Sequence, residues 1–187
     1  RRSRFLPSGQ HEGRASHLAR PSPFGAAARR APCYDPPLMM HVFAWDGESV
    51  HEFTHLDPAW TTQSTYSMLW VDVTDITPEI AASLASAFKL HELAVEDALA
   101  IVHHPKVESY PGVLYAILHG IDFEAAKHQF ATHDVDFFVG ANYLITVHDG
   151  VSRSIGRMRD ICPPNVHIMS EGPASLMLRF FFVLVVN

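Results

Sequence analysis

Two short segments of this sequence carry residue types that can bind a metal ion. The first runs from His51 to His55 and reads HEFTH, which matches the HExxH pattern of zinc hydrolases. In those enzymes the two histidines share one face of a helix and bind zinc together, and the glutamate acts on the zinc-bound water. The chemistry therefore requires that this segment be helical.

The surroundings of the HExxH segment favour a strand. The segment follows an Asp-Gly turn, contains the strand-forming pair Phe-Thr and ends at Asp57-Pro58, which leaves no room for a long helix. Side chains four residues apart on a strand are separated by about 13 Å, too far to share a metal ion. A zinc hydrolase that uses His51, Glu52 and His55 is therefore kept only as an alternative, and we do not expect an enzyme.

The second group consists of three carboxylates within six residues, Glu92, Glu96 and Asp97. Carboxylate oxygens are the ligands that Mg²⁺ and Ca²⁺ prefer. Glu92 and Glu96 are i, i+4 neighbours on a predicted helix, so their repulsion costs a few tenths of a kcal/mol unless a cation offsets it. Acids near a helix N-terminus also interact favourably with the helix dipole without any metal. The residue pattern alone leaves both interpretations open.

Hydrophobic patterning predicts the elements that position these groups. Strands are predicted at 42–45, 50–53, 69–73, 113–121, 135–139 and 143–147. Helices are predicted from Pro78, capped by Thr77, over 91–99, around Ile155 and Met158, and from Pro173 to the end. This order of elements implies an α/β fold, with a mixed β-sheet sandwiched between helical layers.

Charge divides the chain at residue 38. Residues 1–38 hold seven arginines against two acids, a net charge of +5, and residues 39–187 hold seven basic residues against eighteen acids, a net charge of −11. The acidic part argues against nucleic acid as a partner and suits divalent cations. Cys33 and Cys162 are the two cysteines, so a disulfide framework is not expected and a reducing compartment is the default.

The first 38 residues lack apolar periodicity and are rich in proline and arginine. We expect a disordered, non-native leader over 1–38 and one domain over 39–187, with Met39 or Met40 as the natural start. The apolar run 180–186 is much shorter than the roughly 20 residues of a bilayer-spanning helix. We expect this run to leave apolar surface exposed, so that the chain self-associates and truncation at Pro173 relieves the association.

Three segments resemble motifs of the CorA family of divalent-cation channels. The sequences HELAVEDAL at 91–99 and HPKVE at 104–108, with Tyr110, are similar to H-P-L-x-x-E-D-x-L and R-P-K-[LV]-E-x-[YF]. LWVDV at 69–73 is similar to the family's W-[IV]-D strand. FFVGANYLITVH at 137–148 is similar to its F-x-x-G-x-N-[FY]-L-[IV]-T-[VF]-H hairpin. The matches occur in the family's order and cover about residues 39–160.

The resemblance implies a homopentameric channel of the inner membrane that carries Mg²⁺ and Co²⁺. This chain would be its N-terminal cytoplasmic domain, truncated at its C-terminus, and the transmembrane helices that connect it to the membrane would follow Asn187. A zinc-transporting relative of the family remains an alternative for the transported ion.

The resemblance also implies a role for two of the carboxylates. In the family, the pair that matches Glu96 and Asp97 helps to bind regulatory Mg²⁺ between subunits, and bound Mg²⁺ holds the channel closed. Adjacent helical side chains point about 100° apart, so this pair needs help from another subunit to surround one ion. We therefore expect weak, about millimolar, Mg²⁺ binding by this chain alone.

Overall fold

The structure is a computed structural model that describes residues 39–62, 65–100, 104–124, 129–150 and 152–186. The predicted disorder of residues 1–38 lies outside the described residues. Within those residues, no helix is both long enough and apolar enough to cross a bilayer.

The described residues contain a single sheet of seven strands. The strands are β1 (Met40–Trp45), β2 (Val50–Phe53), β3 (Met68–Thr74), β4 (Lys106–Tyr110), β5 (Val113–Glu124), β6 (Gln129–Val139) and β7 (Tyr143–His148). Their order across the sheet is β2-β1-β3-β7-β6-β5-β4. The central pair β3 and β7 is parallel, and the other neighbouring strands are antiparallel. The predicted mixed sheet is therefore confirmed.

Helices cover both faces of the sheet. They are α1 (Pro78–Phe88), α2 (Glu92–Ala98), α3 (Arg153–Ile161), α4 (Val166–Ser170) and α5 (Pro173–Val186), and a short 3₁₀ turn spans Pro58–Thr61. Side chains of α1 and α2 pack into one core cluster, and side chains of α3, α4 and α5 pack into the other. The result is the predicted α/β sandwich, with the mixed sheet between two helical layers.

Strand β3 shows why the sheet is covered on both sides. Its side chains alternate, so that Leu69, Val71 and Val73 join the core with α1 and α2, whereas Met68 and Trp70 join the core with α3 to α5. All seven residues of β3 are buried. A nearly continuous apolar strand is typical of such a two-sided position.

One strand and one helix were missed by the hydrophobic pattern. β4 is a polar edge strand whose Val107 is 64% exposed, so it has no apolar face to detect. Its signal is the turn that follows, because Pro111 and Gly112, with φ +80° at Gly112, connect the register pair Tyr110 and Val113. The missed helix is α4, which has five residues.

The last helix is more deeply packed than the sequence suggested. Phe180 is fully buried and Leu184 is 5% exposed, and both belong to the core under α3 to α5. Phe181 and Phe182 are 42% and 56% exposed. The expectation that the whole run 180–186 is bare is therefore wrong for Phe180 and Leu184, because the face of α5 that turns to the sheet is buried. Truncation at Pro173 would remove part of the core.

Candidate metal site at the end of helix α2

The HExxH residues lie on an edge strand and not on a helix. His51 and Glu52 belong to β2, at one edge of the sheet, and His55 follows the strand. His51 Nε2 lies 2.6 Å from Asp46 Oδ2, and Glu52 Oε1 lies 3.7 Å from His41 Nδ1. The strand prediction is confirmed, and the helical face that a zinc hydrolase requires is not formed by these residues.

Helix α2 carries the three predicted carboxylates in different surroundings. Its buried side consists of Ala94 and Ala98, which pack against the sheet. Glu92 lies in the first turn and is exposed, as is Glu96. The Asp97 side chain is only 35% exposed. Of the three acids, Asp97 is therefore the one held against the rest of the domain.

Asp97 forms one side of a cluster that joins α2 to β4. We define the α2–β4 cluster as Asp97, Lys106, Glu108, Tyr110 and Tyr115. Lys106 Nζ lies 2.5 Å from Asp97 Oδ2 and 3.3 Å from Glu108 Oε2. The Tyr110 hydroxyl donates a 2.6 Å hydrogen bond to Glu108 Oε2, and Lys106 Nζ lies 5.7 Å from the centre of the Tyr115 ring. One ammonium group is thus shared by two carboxylates.

The strand geometry explains why these side chains meet. Lys106, Glu108 and Tyr110 are spaced by two along β4, so they lie on one face of the strand. Glu108 is paired in register with Tyr115 of β5, whose side chain lies in the core cluster that includes the buried alanines of α2. The exposed end of α2 and this face of β4 are therefore brought to the same side of the sheet.

The charges in the cluster favour an ionised lysine. The hydrogen bond to Asp97 raises the pKa of Lys106 above its ordinary value, and the bond to Glu108 adds to this effect. The hydrogen bond to Glu108 likewise raises the pKa of Tyr110, so its hydroxyl stays protonated and donates. The three charged side chains are between 29% and 42% exposed. Solvent therefore screens the ion pairs, which contribute at most about 1 kcal/mol each.

The donor set of the cluster suits a hard cation but does not complete a site. Mg²⁺ prefers near-octahedral oxygen coordination and gives up its waters reluctantly. Asp97 and Glu108 supply carboxylate oxygens, and their nearest oxygens both contact the Lys106 ammonium. Within the described part of the chain, no three His, Cys, Asp or Glu side chains are grouped closely enough to hold a metal ion. One chain thus offers a partial site whose cation position is taken by its own lysine.

A buried polar network lies beneath the sheet and was not predicted. Asp72 of β3 is fully buried, and the Thr146 hydroxyl and the Arg159 guanidinium donate hydrogen bonds to its two carboxylate oxygens. The Trp70 indole donates a 3.0 Å bond to the Thr146 hydroxyl. Asp72 and Thr146 are partners in the register of β3 and β7, so the two strand motifs meet in this network.

Arg159 of α3 extends this network. Its side chain reaches the sheet and also donates a 3.2 Å hydrogen bond to Thr74 Oγ1. His148 Nε2 lies 3.3 Å from Asp72 Oδ1, and His148 Nδ1 accepts a hydrogen bond from the Gly150 backbone, which assigns the proton to Nε2. Burial opposes ionisation of Asp72, but His148 and Arg159 outweigh it and lower the pKa of Asp72.

An acidic pocket of about 300 Å³ also borders α2. It is lined by the C-terminal end of α2, by His148 and by four aspartates, Asp75, Asp134, Asp136 and Asp149. The Asp136 carboxylate accepts a 3.0 Å hydrogen bond from Tyr115, and Asp134 lies 2.6 Å from His119 Nδ1. Asp149 Oδ2 lies 3.5 Å from His133 Nδ1, so at least three of these four acids already have protein partners, as the two carboxylates of the α2–β4 cluster do.

The comparisons with known proteins agree with the fold and with the sequence motifs. The model of the family described as "CorA-like Mg2+ transporter protein" matches residues 66–187. The "Putative metal ion transporter YfjQ" of Bacillus subtilis (strain 168) is 27% identical over 116 residues, which is 62% of this chain and 35% of that protein. The chain thus spans about a third of the length of this curated relative.

Two solved structures share the fold at 16% sequence identity. The complete CorA magnesium transporter from Methanocaldococcus jannaschii matches with a TM-score of 0.62. The match covers 78% of this chain and 44% of that chain. The ZntB cytoplasmic domain from Vibrio parahaemolyticus RIMD 2210633 matches with a TM-score of 0.54. The match covers 78% of this chain and 57% of that chain. Because the family model covers well over half of the sequence, the chain belongs to the CorA-like Mg²⁺ transporter protein family.

Proposed function

We propose that this chain is the cation-sensing domain of a CorA-type transport protein that takes up Mg²⁺ and Co²⁺. The domain lies at the cytoplasmic face of the inner membrane, and it acts as part of a homopentamer whose pore is formed by helices beyond this chain. Family membership supports the transport role. The description of the matching family as an Mg2+ transporter supports Mg²⁺ as the ion.

The observation that carries the proposal is the contact between the Asp97 carboxylate and an ammonium group. Within the segment matched by the family model, its carboxylate already contacts a cation, the Lys106 ammonium, at 2.5 Å. The same carboxylate is 35% exposed and lies near the C-terminal end of α2. This contact with an ammonium group at a partly exposed position supports a regulatory cation site that uses Asp97.

Such a site regulates by shifting a conformational equilibrium. A cation that is bound by Asp97 and by acids of a neighbouring subunit stabilises the arrangement in which those acids are close. Glu96, adjacent on α2 and exposed, supplies a second carboxylate through a bound water. Loss of the cation restores repulsion between the acids and releases the closed state.

Calorimetric titration of this chain with Mg²⁺ tests the proposal. We expect a dissociation constant of about 1 mM, because two carboxylates and water hold Mg²⁺ weakly. Asp97→Asn should weaken this binding at least about tenfold, since it removes the charge that contacts the cation. Glu92→Gln is the matched control, because it removes one charge from the first turn of the same helix. Equal Mg²⁺ affinity in Asp97→Asn and the parent chain would refute the site.

A zinc-transporting protein is the second candidate, since the ZntB cytoplasmic domain shares the fold. The proposed ligands Asp97 and Glu96 supply carboxylate oxygens, which suit Mg²⁺ better than Zn²⁺. Titration of the chain with Zn²⁺ separates the two candidates. Zinc binding that is tighter than magnesium binding and is lost in Asp97→Asn would favour the zinc transporter.

A further inference from the structure

We propose that Lys106 is a tethered cation that competes with the regulatory divalent cation for Asp97 and transfers to Glu108 when the metal ion binds. This inference rests on the proposed function, because it concerns the regulation of the same site. Lys106 sets the metal affinity of the site, and Glu108 holds Lys106 while the metal ion is bound.

The Lys106 ammonium group occupies the position that a metal ion bound to Asp97 would take. Lys106 Nζ lies 2.5 Å from Asp97 Oδ2, which is the distance of a short charge-assisted hydrogen bond. A metal ion that binds this oxygen directly occupies the same space, and it also repels the ammonium group. Binding of Mg²⁺ to Asp97 therefore requires that Lys106 move away.

Glu108 and the Tyr115 ring offer the Lys106 ammonium group a second position. Glu108 Oε2 lies 3.3 Å from the same Nζ, and the Tyr110 hydroxyl fixes that carboxylate with a 2.6 Å hydrogen bond. The face of the Tyr115 ring, 5.7 Å away, adds a favourable site for a cation. Lys106 can thus release Asp97 by rotation of its side chain and keep one carboxylate partner.

Partial exposure keeps the ion pair between Lys106 and Asp97 weak. The Lys106 side chain is 29% exposed and Asp97 is 35% exposed, so the pair is screened and weak enough to exchange with a hydrated ion. A fully buried pair would hold Asp97 too tightly for this. An ion pair at a half-exposed surface permits competition in the millimolar range of a divalent cation.

Neutralisation of Lys106 in the otherwise intact chain tests the inference by Mg²⁺ calorimetry. In Lys106→Met we expect the dissociation constant for Mg²⁺ to fall about fivefold, since both the competing ion pair and the cation repulsion are removed. Lys106→Gln should behave in the same way and serves as a second neutral variant. Lys106→Arg keeps the charge, and its affinity should stay close to that of the parent chain.

The matched control is Arg179→Met. Arg179 Nη2 lies 2.6 Å from Glu171 Oε2 on the other face of the sheet, so this substitution causes the same change in net charge and also releases a carboxylate. We expect no change in Mg²⁺ affinity. Thermal unfolding followed by circular dichroism with and without Mg²⁺ gives an independent readout, since a tighter site raises the midpoint more at equal Mg²⁺ concentration.

The outcomes separate this inference from the proposed function. If Lys106→Met and Lys106→Gln bind Mg²⁺ as the parent chain does, while Asp97→Asn weakens binding at least about tenfold, Lys106 does not compete for Asp97. The inference is then overturned while the site stands. If Arg179→Met gains as much affinity as Lys106→Met, the effect is one of net charge and the inference is also overturned. If Asp97→Asn leaves Mg²⁺ binding unchanged in every background, the site and the inference are both wrong.

Discussion

The burial of Phe180 can be tested against a residue of the same type on the same helix. Phe180 is fully buried, and its ring lies 5.2 Å from the Trp70 ring and 5.7 Å from the Phe137 ring, whereas Phe182 is 56% exposed. Replacement of a buried Phe by Ala costs about 3–5 kcal/mol, and the loss of two edge-on aromatic contacts favours the upper part of that range. Phe182→Ala should cost less than about 0.5 kcal/mol.

Urea and thermal unfolding of the two variants measure this difference. In a domain of this size, about 4 kcal/mol corresponds to a fall of about 10 °C in the unfolding midpoint. Because total stabilities are only about 5–15 kcal/mol, Phe180→Leu provides a milder variant, with an expected cost of about 1–1.5 kcal/mol. The packing of α5 against the sheet would be refuted if Phe180→Ala and Phe182→Ala lost the same amount of stability.

Three further predictions concern buried polar groups. Arg159→Met should lower the free energy of unfolding in urea by about 3–5 kcal/mol, because it leaves Asp72 buried without its cation. The double variant with Asp72→Asn should recover part of this loss. Because the pKa of Asp72 is lowered on folding, its stabilisation is present above the unfolded pKa near 4 and is lost as the pH falls further. Urea midpoints measured between pH 6 and about pH 3 should therefore fall more steeply in the parent chain than in Asp72→Asn. Burial raises the pKa of Cys162 to about 12. In a Cys33→Ser variant, a thiol reagent applied at about pH 8 should therefore react with Cys162 only when the protein unfolds. Rapid reaction of the folded protein would contradict this.

The sequence predicted the central strands and the helix α1, but it did not predict the edge strand β4. Strands β3 and β7 are apolar over most of their length, and α1 has a capping threonine followed by proline, so the local signals agree with their buried positions. β4 was missed because an edge strand needs no apolar face. The burial of Phe180 was missed because a helix that is apolar all round does not show which of its faces meets the sheet.

The candidate site was predicted in part. The helix that carries Asp97 follows from its own residues, and the HExxH segment was correctly assigned to a strand. Lys106 was not singled out, because its contact with Asp97 depends on the docking of α2 beside β4, and only the spacing Lys-x-Glu-x-Tyr hinted at a shared face. The ligation of metal by Asp97 and Glu96 stays a prediction.

The most direct test of the cation-sensing role is to find where a divalent cation binds on this chain. Mn²⁺, a paramagnetic substitute for Mg²⁺, broadens the amide NMR signals of residues close to it. The C-terminal end of α2 also lines the acidic pocket, so broadening in β4 is the signal that separates the two sites. We predict broadening in β4 as well as at the end of α2, its reversal by excess Mg²⁺, and its loss in Asp97→Asn. Broadening centred on the acidic pocket at Asp134 and Asp149, or signals around Asp97 that stay sharp, would contradict the assignment of the cation site to the α2–β4 cluster.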